Sequence, residues 1–144
     1  MNVSDAVNKR MSVRAFLSKK VPNELIKNLL LKASRSPSGG NLQPWKIFIV
    51  NGKSMDDFLA FQDKWDQPET PAYEIYPAKL KEPYRTLRCS LGEQMYKLLG
   101  IPRDDKNARF AQVMQNFQFF GAPCALFCFV DKHMGAPQWS YLGM

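Results

Sequence analysis

Two short apolar runs, residues 45–50 and 125–130, most limit the folds open to this chain. Each run is compact and apolar, which indicates a buried strand. Two strands cannot make a stable sheet on their own. We therefore expect the folded unit to need more polypeptide, either from residues beyond these or from a second subunit.

Helical spacing of apolar residues predicts the other elements. Pro22 suits the first turn of a helix, which Pro37, Gly39 and Gly40 then end. The apolar face of this helix comprises Leu25, Ile26, Leu29, Leu30 and Ala33. Further helices are predicted at 2–10 with Ser4 as a candidate cap, at 54–65, around Leu91, Met95, Leu98 and Leu99, around Phe110, Val113, Met114 and Phe117, and from Trp139 onward.

Residues 66–86 differ from the rest because prolines interrupt every regular pattern. The prolines and the tyrosines interleaved with them are Pro68, Pro71, Pro77, Pro83, Tyr73, Tyr76 and Tyr84. Loops of this length are usually functional or mobile. We expect a long excursion or lid within a single domain at residues 1–144, which covers a substrate or braces a subunit contact.

The charge of the chain is strongly basic, with a formal net value of +7. The first 20 residues hold five Lys or Arg residues against one Asp. Such a segment attracts phosphate, nucleic acid or an anionic membrane surface, or it forms a solvated face. Charge alone does not separate these interpretations.

Cysteine and histidine usage argues against disulfides and metals. Cys124 and Cys128 lie too far apart in a predicted strand to be bridged. One histidine, His133, and no paired-cysteine motif give no zinc pattern, and a surface position is expected for His133. The polar N-terminus is unlike a secretory signal. These features indicate a reducing, cytoplasmic setting.

The stretch at residues 10–14 places Arg10, Ser12 and Arg14 at alternate positions. In an extended backbone, alternate side chains point the same way. Two guanidinium groups and a hydroxyl would then converge, a combination suited to phosphate. The alternative is a basic surface turn.

A second candidate segment, residues 36–44, joins a helix end to the first predicted strand. Its small residues would let a ligand approach the backbone closely. Ser38, Asn41 and Gln43 offer donors and acceptors that suit the edge of a polar heterocycle such as a flavin. The alternative is a plain turn anchored by Trp45.

Together these motifs resemble the nitroreductase family. The form R-x-S-x-R-x-F is matched by Arg10, Ser12, Arg14 and Phe16, and the form P-S-x-x-N-x-Q-P-W is matched at residues 37–45. Downstream, residues 120–123 read F-G-A-P, and residues 135–144 fit G-x-x-x-W-x-x-L-G-M. The resemblance covers essentially the whole chain.

The resemblance implies an α+β fold with a central, mainly antiparallel sheet flanked by helices, here with its C-terminal part absent. It also implies a homodimer with FMN at the interface. The residues it assigns to FMN are Arg10, Ser12, Arg14, Pro37, Ser38, Gly39, Asn41 and Gln43. The first three would hold the phosphate, the next three would line the flavin from the partner subunit, and the last two would lie near the flavin or support their loop.

The activity implied by the resemblance is hydride transfer from NAD(P)H through FMN to a nitroaromatic or quinone-like acceptor. No side chain need act as a nucleophile and no metal is expected, because the cofactor performs the redox step. One alternative is a non-catalytic flavin- or nucleotide-binding module, or an inactive, truncated relative. Another is nucleic-acid binding, which the net charge alone suggests.

Overall fold

The helices and strands follow the predicted order in the computed structural model, which describes residues 1–68, 74 and 76–144. The helices are α1 (Val3–Lys9), α2 (Asn23–Ala33), α3 (Lys53–Gln62), α4 (Tyr84–Leu98), α5 (Lys106–Met114) and α6 (Ser140–Gly143), and the strands are β1 (Lys46–Asn51) and β2 (Cys124–Phe129). Short 3₁₀ turns at Gly39–Asn41, Phe119–Gly121, Lys132–Met134 and Ala136–Trp139 link them.

Helix α1 is closed by a reciprocal cap at its N-terminus. The side chain of Asn2 accepts a hydrogen bond from the backbone N–H of Asp5 at 2.8 Å. The Asp5 carboxylate accepts one from the N–H of Asn2 at 3.4 Å. The prediction of Ser4 as the cap was wrong, because Asn2 already satisfies the free backbone donors and Ser4 lies within the helix.

Helix α2 begins directly after Pro22, as predicted, and ends at Ala33, before the residues expected to stop it. The Ser34 hydroxyl caps this end by donating to the carbonyl of Leu31 at 3.0 Å. Of the predicted apolar face, Ile26 is buried, whereas Leu25 and Leu29 are exposed. The spacing therefore identified the helix but overstated how much of its face is covered within the chain.

The two strands pair antiparallel, with Ile47 opposite Cys128 and Ile49 opposite Leu126. The prediction that both strands are buried was wrong for the single chain, in which Phe48 is 60% exposed and Phe129 is 52% exposed. The physical reason is that a two-stranded sheet leaves two edges open, and the helices of the same chain cover only part of its surface. Among the residues that the structure describes, only Ile26 and Met55 are buried apolar residues.

Contacts divide the described chain into two compact units, Met1–Asp63 with Phe119–Met144, and Lys64–Gln118. An aromatic cluster packs α3 against β2 in the first unit. The ring of Phe58 lies 5.8 Å from that of Phe119 and 5.2 Å from that of Phe127, measured between centroids. These distances are typical of stabilising aromatic pairs.

The second unit contains α4 and α5. Asp105 caps α5 by accepting a hydrogen bond from the backbone N–H of Ala108 at 2.9 Å. Helix α5 ends at Met114, earlier than predicted, so Phe117 lies beyond it. Arg109 of this helix reaches α4 and pairs with Glu93.

The Pro- and Tyr-rich excursion is only partly within the described residues, since Pro71 and Tyr73 lie outside them. Its predicted end at residue 86 was wrong, because α4 already begins at Tyr84, directly after Pro83. Within the same unit, the guanidinium of Arg88 lies over the ring of Tyr76 at 3.9 Å from its centroid. This geometry is that of a cation–π pair.

Candidate functional site

The loop before β1 is held by its own polar side chains. The Ser38 hydroxyl accepts a hydrogen bond from the backbone N–H of Gln43 at 2.9 Å, which closes the loop across its 3₁₀ turn. The Gln43 amide donates to the side-chain oxygen of Asn41 at 3.0 Å. Three of the predicted site residues are thereby brought together, and Asn41 and Gln43 support the loop directly.

The same loop has an unusual backbone. Asn41 and Gln43 adopt φ values of 54° and 48°, in the left-handed region, next to Gly40 at 59°. Non-glycine residues in this region cost roughly 1–3 kcal/mol each and persist where the surroundings fix them, often at ligand sites. Hydrogen bonds made by its own side chains therefore offset local strain in the loop.

Gly39 is approached closely by a residue that sequence reasoning had not selected. A Cβ atom added to Gly39 would lie 2.6 Å from the hydroxyl oxygen of Tyr141 and 3.5 Å from its Cζ. The distance to the hydroxyl oxygen is shorter than van der Waals contact allows, so a side chain at position 39 requires the tyrosine to shift. Tyr141 lies on α6, within the segment that matched the G-x-x-x-W-x-x-L-G-M form.

The arginine segment follows α1 and carries no regular structure. Arg10 is the C-terminal cap residue of α1, with an extended backbone at φ −64° and ψ 129°. Arg14 turns one Nη towards the backbone carbonyl of Ser12 at 3.5 Å, the outer limit of a hydrogen bond. Arg10, Ser12 and Arg14 are all exposed. Their convergence on one ligand stays a prediction.

Arg14 also contacts an aromatic residue from the distant end of the chain. Its guanidinium carbon lies over the ring of Phe120, 5.7 Å from the centroid. Phe120 is half-buried and belongs to the turn that precedes β2. The F-G-A-P match at this turn was the only sequence signal, and it gave no indication of a contact with the arginine segment.

The eight predicted cofactor residues all belong to the unit formed by Met1–Asp63 and Phe119–Met144. Within it, the polar loop residues are joined to one another, whereas Arg14 contacts Phe120 and Gly39 contacts Tyr141. Pro37 is exposed at the start of the loop. The two predicted segments thus use partners from the same stretch at residues 119–144.

The donor set is suited to an anionic, phosphorylated heterocycle. Over the described residues, the Arg10 side chain forms no hydrogen bond or ion pair, and Arg14 forms only the long one to Ser12. Two guanidinium groups with available donors fit a phosphate, which accepts bidentate bonds. The polar side chains of the loop, Ser38, Asn41 and Gln43, offer donors and acceptors that fit the edge of a flavin ring. FMN therefore agrees with the residues present.

Outside these segments lie the single histidine and the three cysteines of the chain. His133 is a surface residue, as predicted, with its side chain 82% exposed and Nδ1 placed 2.9 Å from Asp131 Oδ1. Hydrogen bonds from the backbone N–H and the ring of His133 lower the pKa of Asp131. All three cysteines are free, and burial raises the pKa of Cys124.

Membrane-spanning helices and metal clusters are both absent from residues 1–68, 74 and 76–144. No helix there combines the length and the apolar content needed to cross a bilayer. No group of three or more His, Cys, Asp or Glu side chains there is placed to hold a metal ion.

Comparisons with known proteins all indicate the same family. The model of the nitroreductase family matches residues 7–143. A nitrobenzene nitroreductase of Ectopseudomonas oleovorans is 33% identical over 136 residues, which cover 92% of this chain and 60% of that protein. A chloronitrobenzene nitroreductase of Comamonas testosteroni is 32% identical over the same shares of each chain.

A solved structure confirms the nitroreductase-like α+β fold. The FMN and NADPH-dependent nitroreductase NfnB from Sphigopyxis sp. strain HMH superposes with a TM-score of 0.87 at 41% identity. The match covers 99% of this chain and 66% of that one. The chain spans 60% of the length of the two curated relatives.

Proposed function

Because the chain belongs to the nitroreductase family, we propose that it binds FMN and serves hydride transfer from NAD(P)H to nitroaromatic or quinone-like acceptors. Bound FMN would supply the redox chemistry, while the protein binds and orients it and limits access to it. The nitroaromatic class is that of the nitrobenzene and chloronitrobenzene nitroreductases. NADPH is the reductant of the similar NfnB.

The observation that carries this proposal is the pair of arginines with available donors near the N-terminus. Arg10 and Arg14 are exposed, and Arg14 is held over Phe120. An arginine without a carboxylate partner leaves its planar donors available for phosphate. We assign Arg10, Ser12 and Arg14 to the FMN phosphate on this basis.

The loop before β1 would take the other end of the cofactor. Pro37, Ser38 and Gly39 would line the flavin, and Gly39 has no side chain to obstruct its approach. Asn41 and Gln43 would keep the loop in shape through their mutual hydrogen bond. In the proposed dimer, this loop would line the flavin whose phosphate is bound by the arginine segment of the other subunit.

A homodimer is part of the same proposal. Support comes from the apolar side chains that the single chain leaves uncovered, among them Phe48 and Phe129 on the sheet. Exposed apolar area of this kind marks interaction surfaces. We place the protein in the cytoplasm, where its three free cysteines would stay reduced.

Purification of the full chain followed by titration with FMN tests the proposal. We expect one FMN per chain, seen as a flavin visible spectrum that stays with the protein through gel filtration. Under anaerobic conditions NADPH should bleach this spectrum, and nitrobenzene should restore it. A protein that gains no flavin absorbance would overturn the assignment. Bound FMN that NADPH and NADH fail to bleach would indicate the non-catalytic module instead.

A further inference from the structure

Two consecutive phenylalanines before β2 adopt a backbone conformation that bulky residues rarely take. Phe119 has φ 51° and Phe120 has φ 52°, and Gly121 follows at 74°. Left-handed backbone is uncommon for any residue with a side chain and is exceptional for two in succession. Such strain persists where the surroundings fix it, and it occurs preferentially at ligand sites and switches.

The two rings at this turn have different partners. The ring of Phe119 packs into the aromatic cluster, 5.8 Å from Phe58 and 5.8 Å from Phe127 between centroids. The ring of Phe120 instead lies under the guanidinium of Arg14. Ring packing with Phe58 and Phe127 accounts for the position of Phe119, whereas the Phe120 ring lies under Arg14, a residue proposed to bind phosphate.

An aromatic ring that lies under a guanidinium group leaves the N–H donors of that group available to other partners. The N–H donors of arginine point outward in its plane, while its faces are available for stacking. The Phe120 ring can thus hold Arg14 without occupying the donors that a phosphate needs. A carboxylate partner would fix the arginine equally well but would compete with the phosphate for those donors.

We propose that Phe120 is a positioning residue that holds Arg14 for the phosphate of FMN, with the strained turn Phe119–Gly121 placing its ring. This role rests on the proposed function, because it requires that Arg14 bind the phosphate. It predicts that Phe120 affects binding of the phosphate group and not of the isoalloxazine ring.

Comparison of FMN with riboflavin, which lacks the phosphate, tests the role directly. Kd values for both ligands should be measured by fluorescence titration with the wild type, Phe120→Leu, Phe120→Tyr and the control Phe110→Leu, which replaces an exposed phenylalanine of α5. We expect Phe120→Leu to weaken FMN binding roughly two- to fivefold. Riboflavin binding should not change, and Phe120→Tyr should restore the affinity for FMN.

Measurements on Arg14→Ala protein distinguish a role of Phe120 in positioning Arg14 from a general role in packing. In Arg14→Ala protein, Phe120→Leu should have no further effect on the Kd of FMN, because the residue it positions is gone. The NMR signal of the Arg14 Nε–H in wild type should also move when Phe120 is replaced, since a nearby ring shifts it. If Phe120→Leu fails to fold, Phe120→Gly suits the left-handed backbone and serves in its place.

An equal loss of FMN and riboflavin affinity in Phe120→Leu would overturn the role. So would an undiminished effect of Phe120→Leu in the Arg14→Ala background, or an unmoved Arg14 signal. Wild type that does not prefer FMN to riboflavin would instead defeat the assignment of the phosphate to Arg14, and the role of Phe120 with it. Wild type that prefers FMN, together with a Phe120→Leu variant that prefers it equally, would defeat the role of Phe120 alone.

Discussion

Arg14 and Arg109 both lie over an aromatic ring, yet their remaining contacts differ. Arg109 lies over Tyr96 at 4.2 Å, donates to both carboxylate oxygens of Glu93 at 2.9 and 3.1 Å, and reaches the carbonyl of Pro102 at 3.1 Å. Arg14 has the ring of Phe120 and one 3.5 Å contact with a carbonyl. The side chain of Arg109 is 19% exposed, while Arg14 lies at the surface.

The difference separates a structural arginine from one available to a ligand. Arg109 uses its donors to join α4 and α5, and its pairing raises its own pKa through the hydrogen bonds with Glu93. The guanidinium carbon of Arg14 lies over the Phe120 ring, and among the described residues its donors make only the 3.5 Å contact with Ser12. An aromatic neighbour therefore does not identify the role of an arginine, whereas the partners of its donors do.

The largest effect should come from Arg14→Ala. Loss of charge-assisted bonds to the phosphate should weaken FMN binding roughly ten- to 150-fold, with no change for riboflavin or in the thermal unfolding midpoint. Fluorescence titration with both ligands measures this, and Lys20→Ala is the matched control in the same basic segment. A loss of stability as large as that of Arg109→Ala would erase the distinction between the two arginines.

Arg109→Ala should act on stability. Removing the guanidinium leaves Glu93 without its partner and frees the carbonyl of Pro102, so amide hydrogen exchange in α4 and α5 should accelerate. Arg109→Lys should recover only part of the protection, because an ammonium group cannot make the two parallel bonds. Unchanged exchange in both helices would show that the contacts of Arg109 are dispensable.

Arg14→Lys should reduce the affinity for FMN by less than Arg14→Ala does. Lysine keeps the positive charge but loses the planar face over Phe120 and the bidentate geometry. We expect FMN affinity to fall roughly two- to fivefold, between wild type and Arg14→Ala. Added salt should weaken binding by the lysine variant more, since a point charge depends more on unscreened attraction. Affinity equal to that of Arg14→Ala would mean that charge contributes nothing.

The smallest effect should be on the pH dependence of stability. Hydrogen bonds from Arg109 lower the pKa of Glu93 below its ordinary value of 4.5. The stability that this pair contributes is therefore complete above that ordinary value and is lost as the pH falls through the lowered one. The unfolding midpoints of wild type and Glu93→Gln should differ at neutral pH and converge in acid. If the two midpoints differ by the same amount at every pH, the difference arises from packing and not from the ion pair.

Features set by near neighbours in the chain were predictable from the sequence. Asp105 caps α5 because its own side chain reaches a nearby N–H, and the runs that form β1 and β2 needed only their composition. The polar loop was recognised from Ser38, Asn41 and Gln43, whose hydrogen bonds are also local. Its left-handed residues were not foreseen, although asparagine adopts a positive φ more readily than most residues; Gln43 gives no such signal.

Features that join distant parts of the chain were not predictable. The approach of Tyr141 to Gly39 and the contact of Phe120 with Arg14 each join residues about a hundred positions apart. Burial of the strands was overstated for a related reason. The apolar character of Phe48 and Phe129 shows that burial of these residues is favourable. The sequence of their own strands does not show which surface would cover them.

The small number of buried apolar residues has a thermodynamic consequence. With only Ile26 and Met55 classed as buried apolar residues in the described part of the chain, much of the free energy of folding would have to come from what binds to it. A partner subunit or cofactor that binds only the folded form raises stability with its own concentration. The melting temperature of this protein would then be a property of the solution as well as of the sequence, rising with protein and FMN concentration.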